Sequence, residues 1–116
     1  MKEKVMSYRD VEAKPLPEDM AHKTTIRWLI TRADGGENFA MRYFSMEPGG
    51  WIKDHSHPWE HEIFIVRGRG ILIVDGRRHE VSQGDFIFIP PNASHAYEAL
   101  GDEPFEFICV IPDKGY

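Results

Sequence analysis

The chain has 116 residues, 41% of them hydrophobic, and a net charge of −5 with histidine counted as neutral. That length is close to the commonest domain size, so we expect one domain with a single hydrophobic core. The acidic balance argues against a nucleic-acid or anionic-membrane surface, and no apolar run is long enough to span a bilayer.

Residues 1–23 form a predicted N-terminal arm. They contain no continuous apolar segment and carry acidic residues throughout, which is unlike a secretory signal. Pro15 and Pro17 limit any helix there to a short turn. The single cysteine, Cys109, excludes an internal disulfide and suits a reducing compartment. We therefore expect a cytoplasmic protein.

Residues 24–116 are predicted to form one all-β domain. Short runs rich in β-branched and aromatic residues alternate with Gly, Pro, Asn and Asp turns, as in an antiparallel barrel or sandwich. Asp75-Gly76 is a strong two-residue hairpin signal, and turns are also expected at 34–38 and 47–50. The predicted strands are 24–32, 39–46, 61–68, 70–74, 77–82, 85–90, 94–100 and 104–112.

Half of the six histidines lie in one short segment, HSHPWEH, at residues 55–61. On an extended strand His55 and His57 point to the same face with Cα atoms roughly 6.6 Å apart. Pro58-Trp59 is expected to bend the chain and return His61 toward the same point. Buried imidazole is costly unless its nitrogens have partners, and one divalent ion satisfies a nitrogen on each ring. The segment therefore predicts a metal site.

The other three histidines are separated along the chain. His95 lies in a different predicted strand, among small residues that leave room beside a site. His22 and His79 lie in polar surroundings and are expected to be solvated surface rings.

The spacing around the clustered histidines resembles the first motif of the cupin family. That motif is a glycine, an H-x-H pair, a glutamate and a second glycine. Gly49, His55, His57 and Gly68 match it, whereas His61 stands at the glutamate position.

The second cupin motif is matched by Gly84, Pro90 and His95. Asn92 replaces the turn glycine, a mild change because Asn tolerates positive φ. Ala99 stands where the closing asparagine is expected, so any role of that amide is absent. The two motifs place the resemblance over residues 38 to 112.

The resemblance implies a single-domain jelly-roll β-barrel of two packed antiparallel sheets around one divalent metal ion. Carried over by position, it assigns the ligands to His55, His57, His61 and His95. This set looks like that of small four-histidine cupins, some of which bind manganese. Manganese is therefore the expected metal, and imidazole also suits iron, nickel, copper and zinc.

Candidate pocket residues lie on two other strands. Phe107 and Cys109 share one face of the last strand and line the cavity if that face is interior. Arg42 and Tyr43 lie on opposite faces of 39–46, so one of them points inward, and Arg42 is included as a pocket candidate. Further candidate walls are Ile63, Ile65 and Ile73. No nucleophile or general base is evident beyond the metal.

Three functions remain open. The first is a metal-dependent oxygenase acting on a small organic molecule that chelates the ion. The second is a sugar or keto-acid isomerase or lyase that uses the ion as a Lewis acid, and the third is a non-enzymatic small-molecule binding protein.

We also expect a homodimer, because outward Phe64 and Val66 need cover from the N-terminal arm or from a second subunit.

Overall fold

The computed structural model describes residues 2–113, and over this range the chain is nearly all β, as predicted. Two 3-10 turns, Tyr8–Asp10 and Arg32–Asp34, accompany the strands. The strands are β1 (Lys14–Pro15), β2 (Ala21–Ile30), β3 (Phe39–His55), β4 (His61–Arg67), β5 (Arg69–Val74), β6 (Arg77–Ser82), β7 (Phe86–Ile89), β8 (His95–Leu100) and β9 (Phe105–Pro112).

The strands form one curled antiparallel sheet in the order β6-β5-β8-β3-β9-β4-β7, with β2 also paired to β3 and β1 paired to β2. The long strand β3 belongs to both layers of the barrel. Its residues 39–46 pair with β9, whereas residues 51–55 pair with β8. The two expected layers are therefore continuous with each other through one strand.

The predicted turn at 47–50 is a bend inside β3. Gly49 has a φ of 85°, in the left-handed region that favours glycine. At Gly50 an added Cβ would lie 2.8 Å from the carbonyl oxygen of His22, so glycine allows β2 to pass this closely. The prediction that a strand ends at Met46 was wrong, because these glycines bend the strand without ending its pairing.

The core is built on the alternation of β9. Its inward side chains are Phe105, Phe107, Cys109 and Ile111, all almost fully buried. The ring of Phe107 stacks on Phe44 of β3 at 5.0 Å and on Tyr97 of β8 at 5.2 Å between centroids. These contacts connect the two layers of the barrel through its interior.

The first part of the N-terminal arm, residues 8–11, lies against the outside of the barrel. Tyr8 stacks on Tyr43 with ring centroids 4.3 Å apart. Arg27 donates hydrogen bonds from Nη1 to the carbonyl oxygens of Tyr8, Arg9 and Val11. β2 begins at Ala21, earlier than predicted, and the boundary between arm and domain at 23/24 stays a prediction. No helix within residues 2–113 is long and apolar enough to cross a membrane.

Candidate metal centre

Three histidines from two distant parts of the chain meet at one point. His55 ends β3, His57 lies in the loop that follows, and His95 begins β8. Antiparallel pairing of β3 with β8 places His55 directly opposite His95. One ring nitrogen of each of the three histidines lies within 4.8 Å of those of the other two, a spacing that suits ligands of a single ion.

Backbone carbonyls fix the orientation of two of these rings. The Nδ1 atom of His55 lies 2.8 Å from the carbonyl oxygen of Lys53, and Nδ1 of His95 lies 3.0 Å from that of Ala93. A carbonyl accepts, so Nδ1 carries the proton and Nε2 keeps its lone pair for a metal. Nε2 of His95 is buried and has no hydrogen-bond partner among the described residues.

The loop between β3 and β4 brings His57 and His61 to the same wall. The chain bends at Pro58-Trp59, as predicted, and the ring of Trp59 stacks on His57 with centroids 4.5 Å apart. The backbone amide of Asn92 donates to the carbonyl oxygen of His57 at 2.6 Å and anchors this loop. Asn92 has the expected positive φ, 70°.

His61, the first residue of β4, is the fourth ring of the cluster. Its centroid lies 4.7 Å from that of His95 and 5.4 Å from that of His57. The nitrogens of His61 do not belong to the set within 4.8 Å of one another. Its Nδ1 atom is buried without a hydrogen-bond partner in the described part of the chain. The side chain therefore lies beside the three-histidine set with an unused nitrogen.

Burial favours the neutral form of three of these imidazoles. Burial, with smaller contributions from the neighbouring histidines and Arg42, lowers the pKa of His57 to about 4 and that of His61 to about 3. Burial also lowers the pKa of His95. At neutral pH the rings of His57, His61 and His95 are therefore in the form that binds a metal, and no proton has to be displaced from them. Neutral imidazoles with two orphaned buried nitrogens fit a divalent transition metal.

The histidines form one wall of a cavity of about 270 Å³. Arg42 contributes the charged group to an otherwise apolar and aromatic lining, within the described residues. The side chains around the cavity are Leu16, Met20, Ile26, Trp28, Arg42, Phe44, Ile52, His55, His57, Trp59, His61, His95, Tyr97 and Ile111.

Of the pocket residues predicted from sequence, the structure places only Arg42 in this lining. Phe107 is screened from the cavity by Phe44 and Tyr97, on whose rings it stacks. Cys109 lies behind Arg42, whose Nη2 is 3.0 Å from its Sγ, and burial raises the pKa of its thiol. The expectation that Phe107 and Cys109 line the cavity is corrected accordingly.

The three isoleucines proposed as walls also lie elsewhere. Ile63 and Ile65 are buried in the core, and Ile73 is half-buried on the other face of β5. On β5 the inward residues are Leu72 and Val74, because pairing with β8 sets Leu72 opposite Tyr97 and Val74 opposite His95.

Sequence reasoning missed several lining residues. Leu16 and Met20 belong to the N-terminal arm, and no local pattern marks them as part of a site. Tyr97 was detectable, because it lies two residues after His95 and strand alternation puts both side chains on one face. Trp28 was missed as well, although alternation along β2 puts its side chain on the same face as Ile26, which also lines the cavity.

A larger groove, of about 620 Å³, lies between β6 and β7 and is lined by residues such as Arg77, Phe86 and Pro90. It contains none of the four clustered histidines. The smaller cavity is the candidate functional site, because it unites convergent ligand atoms with an apolar lining.

The family model described as Cupin domain matches residues 42–111. Among solved structures, the polyketide cyclase RemF from Streptomyces resistomycificus is similar at 34% identity with a TM-score of 0.90. The match covers 97% of this chain and 80% of that one. A Thermotoga maritima protein, described as a predicted oxalate decarboxylase, has a TM-score of 0.83 and covers 94% of this chain and 98% of its own. At 23% identity that likeness concerns the fold alone.

Two curated relatives match over shorter stretches. Polyketide synthase CurC of Streptomyces cyaneus is 28% identical over 100 residues, which are 84% of this chain and 65% of that protein. The 1-methylthio-D-xylulose 5-phosphate methylsulfurylase of Rhodospirillum rubrum is 32% identical over 71 residues, 61% of this chain and 46% of that protein. The chain therefore spans between 46% and 65% of the length of these relatives.

Proposed function

The chain belongs to the cupin family, and from this premise we propose that it is a mononuclear metal-dependent enzyme acting on a small organic molecule. One observation carries the proposal. Four histidine rings from two parts of the chain line an apolar cavity, and two of their buried nitrogens have no partner among the described residues. A structural role for these rings would leave that desolvation uncompensated.

His55, His57 and His95 would hold the ion, with His61 as the fourth ligand. Manganese is the proposed metal, with iron, nickel, copper and zinc as alternatives that the same ligands suit. When bound, the ion supplies Lewis-acid chemistry toward a carbonyl or enol oxygen. Four neutral ligands leave its full charge in place, which favours anionic or enolate-like ligands.

The remaining residues would prepare the site for substrate. The carbonyls of Lys53 and Ala93 hold the ring orientation of two ligands, and Trp59 restrains His57 by stacking. The apolar walls exclude water from the reacting groups, which strengthens electrostatic interactions inside the cavity. Arg42 supplies a positive charge, and no acidic side chain of the described lining faces it.

The first reaction class we propose is oxygenation of a small molecule with a carbonyl, enol or phenol group. It is supported by a neutral ligand set in a largely apolar cavity. Such a cavity admits a small organic substrate and keeps bulk water from a reactive intermediate.

The second class is non-redox Lewis-acid catalysis, as in an isomerase, lyase or cyclase. A specific observation favours it, because RemF and CurC, both similar to this chain, are described as a polyketide cyclase and a polyketide synthase.

A third candidate is a binding protein without turnover, in which the metal only helps to hold a ligand. The names of two other relatives, an oxalate-binding protein and an oxalate decarboxylase, admit both kinds of function.

The test separates these classes with one set of preparations. Protein loaded in turn with manganese, iron and zinc is screened against small carbonyl, enol and phenol compounds, with and without dioxygen. An oxygenase turns over only with dioxygen and a redox-active metal, whereas a Lewis-acid enzyme also works anaerobically with zinc. Binding without turnover in every preparation supports the binding protein.

Two variants test the metal site. His55→Ala removes a proposed ligand, and His79→Ala, at an exposed histidine, is the matched control. The proposal requires that the His55 variant lose the metal and the activity while the His79 variant keeps both. Elemental analysis that finds no transition metal in purified or reconstituted protein contradicts the proposal as a whole.

We also propose that the protein is a cytoplasmic homodimer. Phe64 and Val66 point outward from β4, as expected, and the arm leaves Phe64 48% exposed. The pairing of β4 with β7 sets Phe64 opposite Phe86. Phe86 is 82% exposed and Phe88, on the same face of β7, is 55% exposed. An apolar surface of this kind is typical of contacts between subunits.

A further inference from the structure

Arg42 is the one Lys, Arg, Asp or Glu side chain that lines the histidine cavity within the described residues. It extends from β3 and lies opposite Trp28 of β2 and Cys109 of β9 in the strand register. Its guanidinium carbon is 5.0 Å from the ring centroid of Phe44 and 5.7 Å from that of Trp28. Two aromatic faces therefore hold the cation inside the apolar cavity.

The guanidinium makes no ion pair with an acidic side chain among residues 2–113. Its Nη2 atom donates to Sγ of Cys109 at 3.0 Å, and a neutral thiol is a weak acceptor. Its Nε atom is buried without a hydrogen-bond partner in the same part of the chain. A partly desolvated charge without an acidic partner is costly, and an anion that binds beside the guanidinium relieves this cost.

The surroundings of Arg42 define what kind of anion fits. The cavity offers one forked guanidinium, and it offers no second cationic side chain or acidic group in the described lining. A guanidinium matches a planar carboxylate with two parallel hydrogen bonds, and its single charge balances that of the carboxylate. A phosphate dianion paired with Arg42 alone would keep a net negative charge in a largely apolar lining, which is costly. Trp28, Phe44 and Ile52 offer apolar contact to the rest of the ligand.

We propose that this cavity binds a small carboxylic acid with an apolar body. Its carboxylate pairs with Arg42, its body lies against the aromatic wall, and its other end faces the histidine cluster. The volume of about 270 Å³ lies just below the usual range for ligand sites, which limits the acid to a compact molecule. This inference rests on the proposed function, because it names the substrate class of the same site.

The test uses benzoate as the probe acid and benzamide as its neutral counterpart of nearly the same shape. Each is titrated by calorimetry into zinc-loaded protein, with metal content measured by elemental analysis. Benzoate is expected to bind at least about 10-fold more tightly than benzamide, because a charged hydrogen-bond pair is lost with the amide.

Two variants assign that preference to Arg42. Arg42→Met removes the charge but keeps an apolar side chain, so the two probes should bind within about twofold of each other, with metal content unchanged. Arg42→Lys keeps the charge without the fork and should recover only part of the preference. Arg78→Met is the matched control, since Arg78 lies on β6 with its side chain 63% exposed and pairs with Glu98.

The possible failures are distinct. Equal affinities of the two probes in the wild type, or no benzoate binding at millimolar concentration, overturn the inference. A benzoate preference that survives in Arg42→Met also overturns it, because the carboxylate is then held by the metal, and the proposed function stands. Absence of bound metal overturns the proposed function instead, and the same titrations on the metal-free protein still test Arg42.

Discussion

Replacing His95 by alanine separates the metal-binding role of this ring from its role in folding. His95 is 1% exposed, with Nδ1 bonded to the carbonyl oxygen of Ala93 and Nε2 unpartnered. Loss of the hydrogen bond costs about 0.5–1.5 kcal/mol, and loss of a buried side chain of this size costs about 2–5 kcal/mol through the cavity it leaves. Removal of the orphaned nitrogen relieves about 1–3 kcal/mol, so the metal-free variant should be less stable than wild type by a few kcal/mol.

The effect on the metal-loaded protein is expected to be larger. A ligand that binds only the folded state stabilises it by about 2.7 kcal/mol at 100 times its Kd. At roughly 4 °C per kcal/mol for a domain of this size, the wild type should gain about 10 °C in Tm. Without the buried Nε2 of His95 the ion loses a ligand from β8, so the variant should gain less than about 3 °C.

The assay is a thermal melt monitored by circular dichroism, with chelator and then with manganese at the same concentration for each protein. Elemental analysis gives the number of ions bound per chain. His79→Ala is the control, because His79 is exposed on β6 and should keep the full metal-dependent shift. If His95→Ala retains one ion per chain and the same gain in Tm, the ion is not held where the structure places these rings.

Three further outcomes are expected. In metal-free Glu62→Gln protein the urea midpoint of unfolding should fall as the pH decreases from 6.5 toward 4. The pKa of His57 is lowered to about 4 in the folded chain, so over this range the unfolded chain takes up a proton that the folded chain excludes. The fall should be smaller when His57→Leu is added, and an unchanged fall would contradict the assignment of this pH dependence to His57. The Glu62→Gln background is used because burial raises the pKa of Glu62 to about 7, and its contribution to the pH dependence has the opposite sign. Phe107→Ala should lower the free energy of unfolding by about 3–5 kcal/mol in urea titrations, because the ring is 1% exposed and stacks on Phe44 and Tyr97. Val5→Ala, at an 89% exposed site, should change it by less than about 0.5 kcal/mol, and comparable losses in the two variants would refute the core placement of Phe107. Phe64→Ser combined with Phe88→Ser should halve the mass measured by light scattering, whereas Val5→Ser should not, and a wild-type protein that is already monomeric at micromolar concentration rules out the dimer.

Local patterns were sufficient to place most strands and to give the direction of the side chains on β4, although Ile73 of β5 was expected on the wrong face. The period of two in β4 predicted that His61, Ile63 and Ile65 point inward and that Phe64 points outward, and the structure has this arrangement. Alternation works because successive side chains on a strand face opposite sides of the sheet, whatever the strand pairs with. Turn residues were less informative, since Gly49 and Gly50 bend a continuous strand where the sequence predicted its end.

The site was partly predictable for the same reason. His55 and His57 are close in sequence, so their convergence needed only local geometry, while the inclusion of His95 came from motif spacing. The role of these residues as ligands stays a prediction. The position of His61 beside the three-histidine set, with its Nδ1 unpartnered, is a matter of tertiary packing.

The sequence by itself determined the all-β class, the inward face of β4 and the concentration of imidazoles near one end of β3, whereas it left the inward face of β3 open and gave the wrong one for β5. Tertiary structure alone decided which inward residues reach the cavity. Phe107 and Arg42 both point inward, yet Phe44 and Tyr97 cover one while the other remains open to the histidines. It also brought Leu16 and Met20 from the arm into the wall. The physical reason is that alternation fixes the face of a side chain, whereas its depth depends on neighbours supplied by strands far away in the chain.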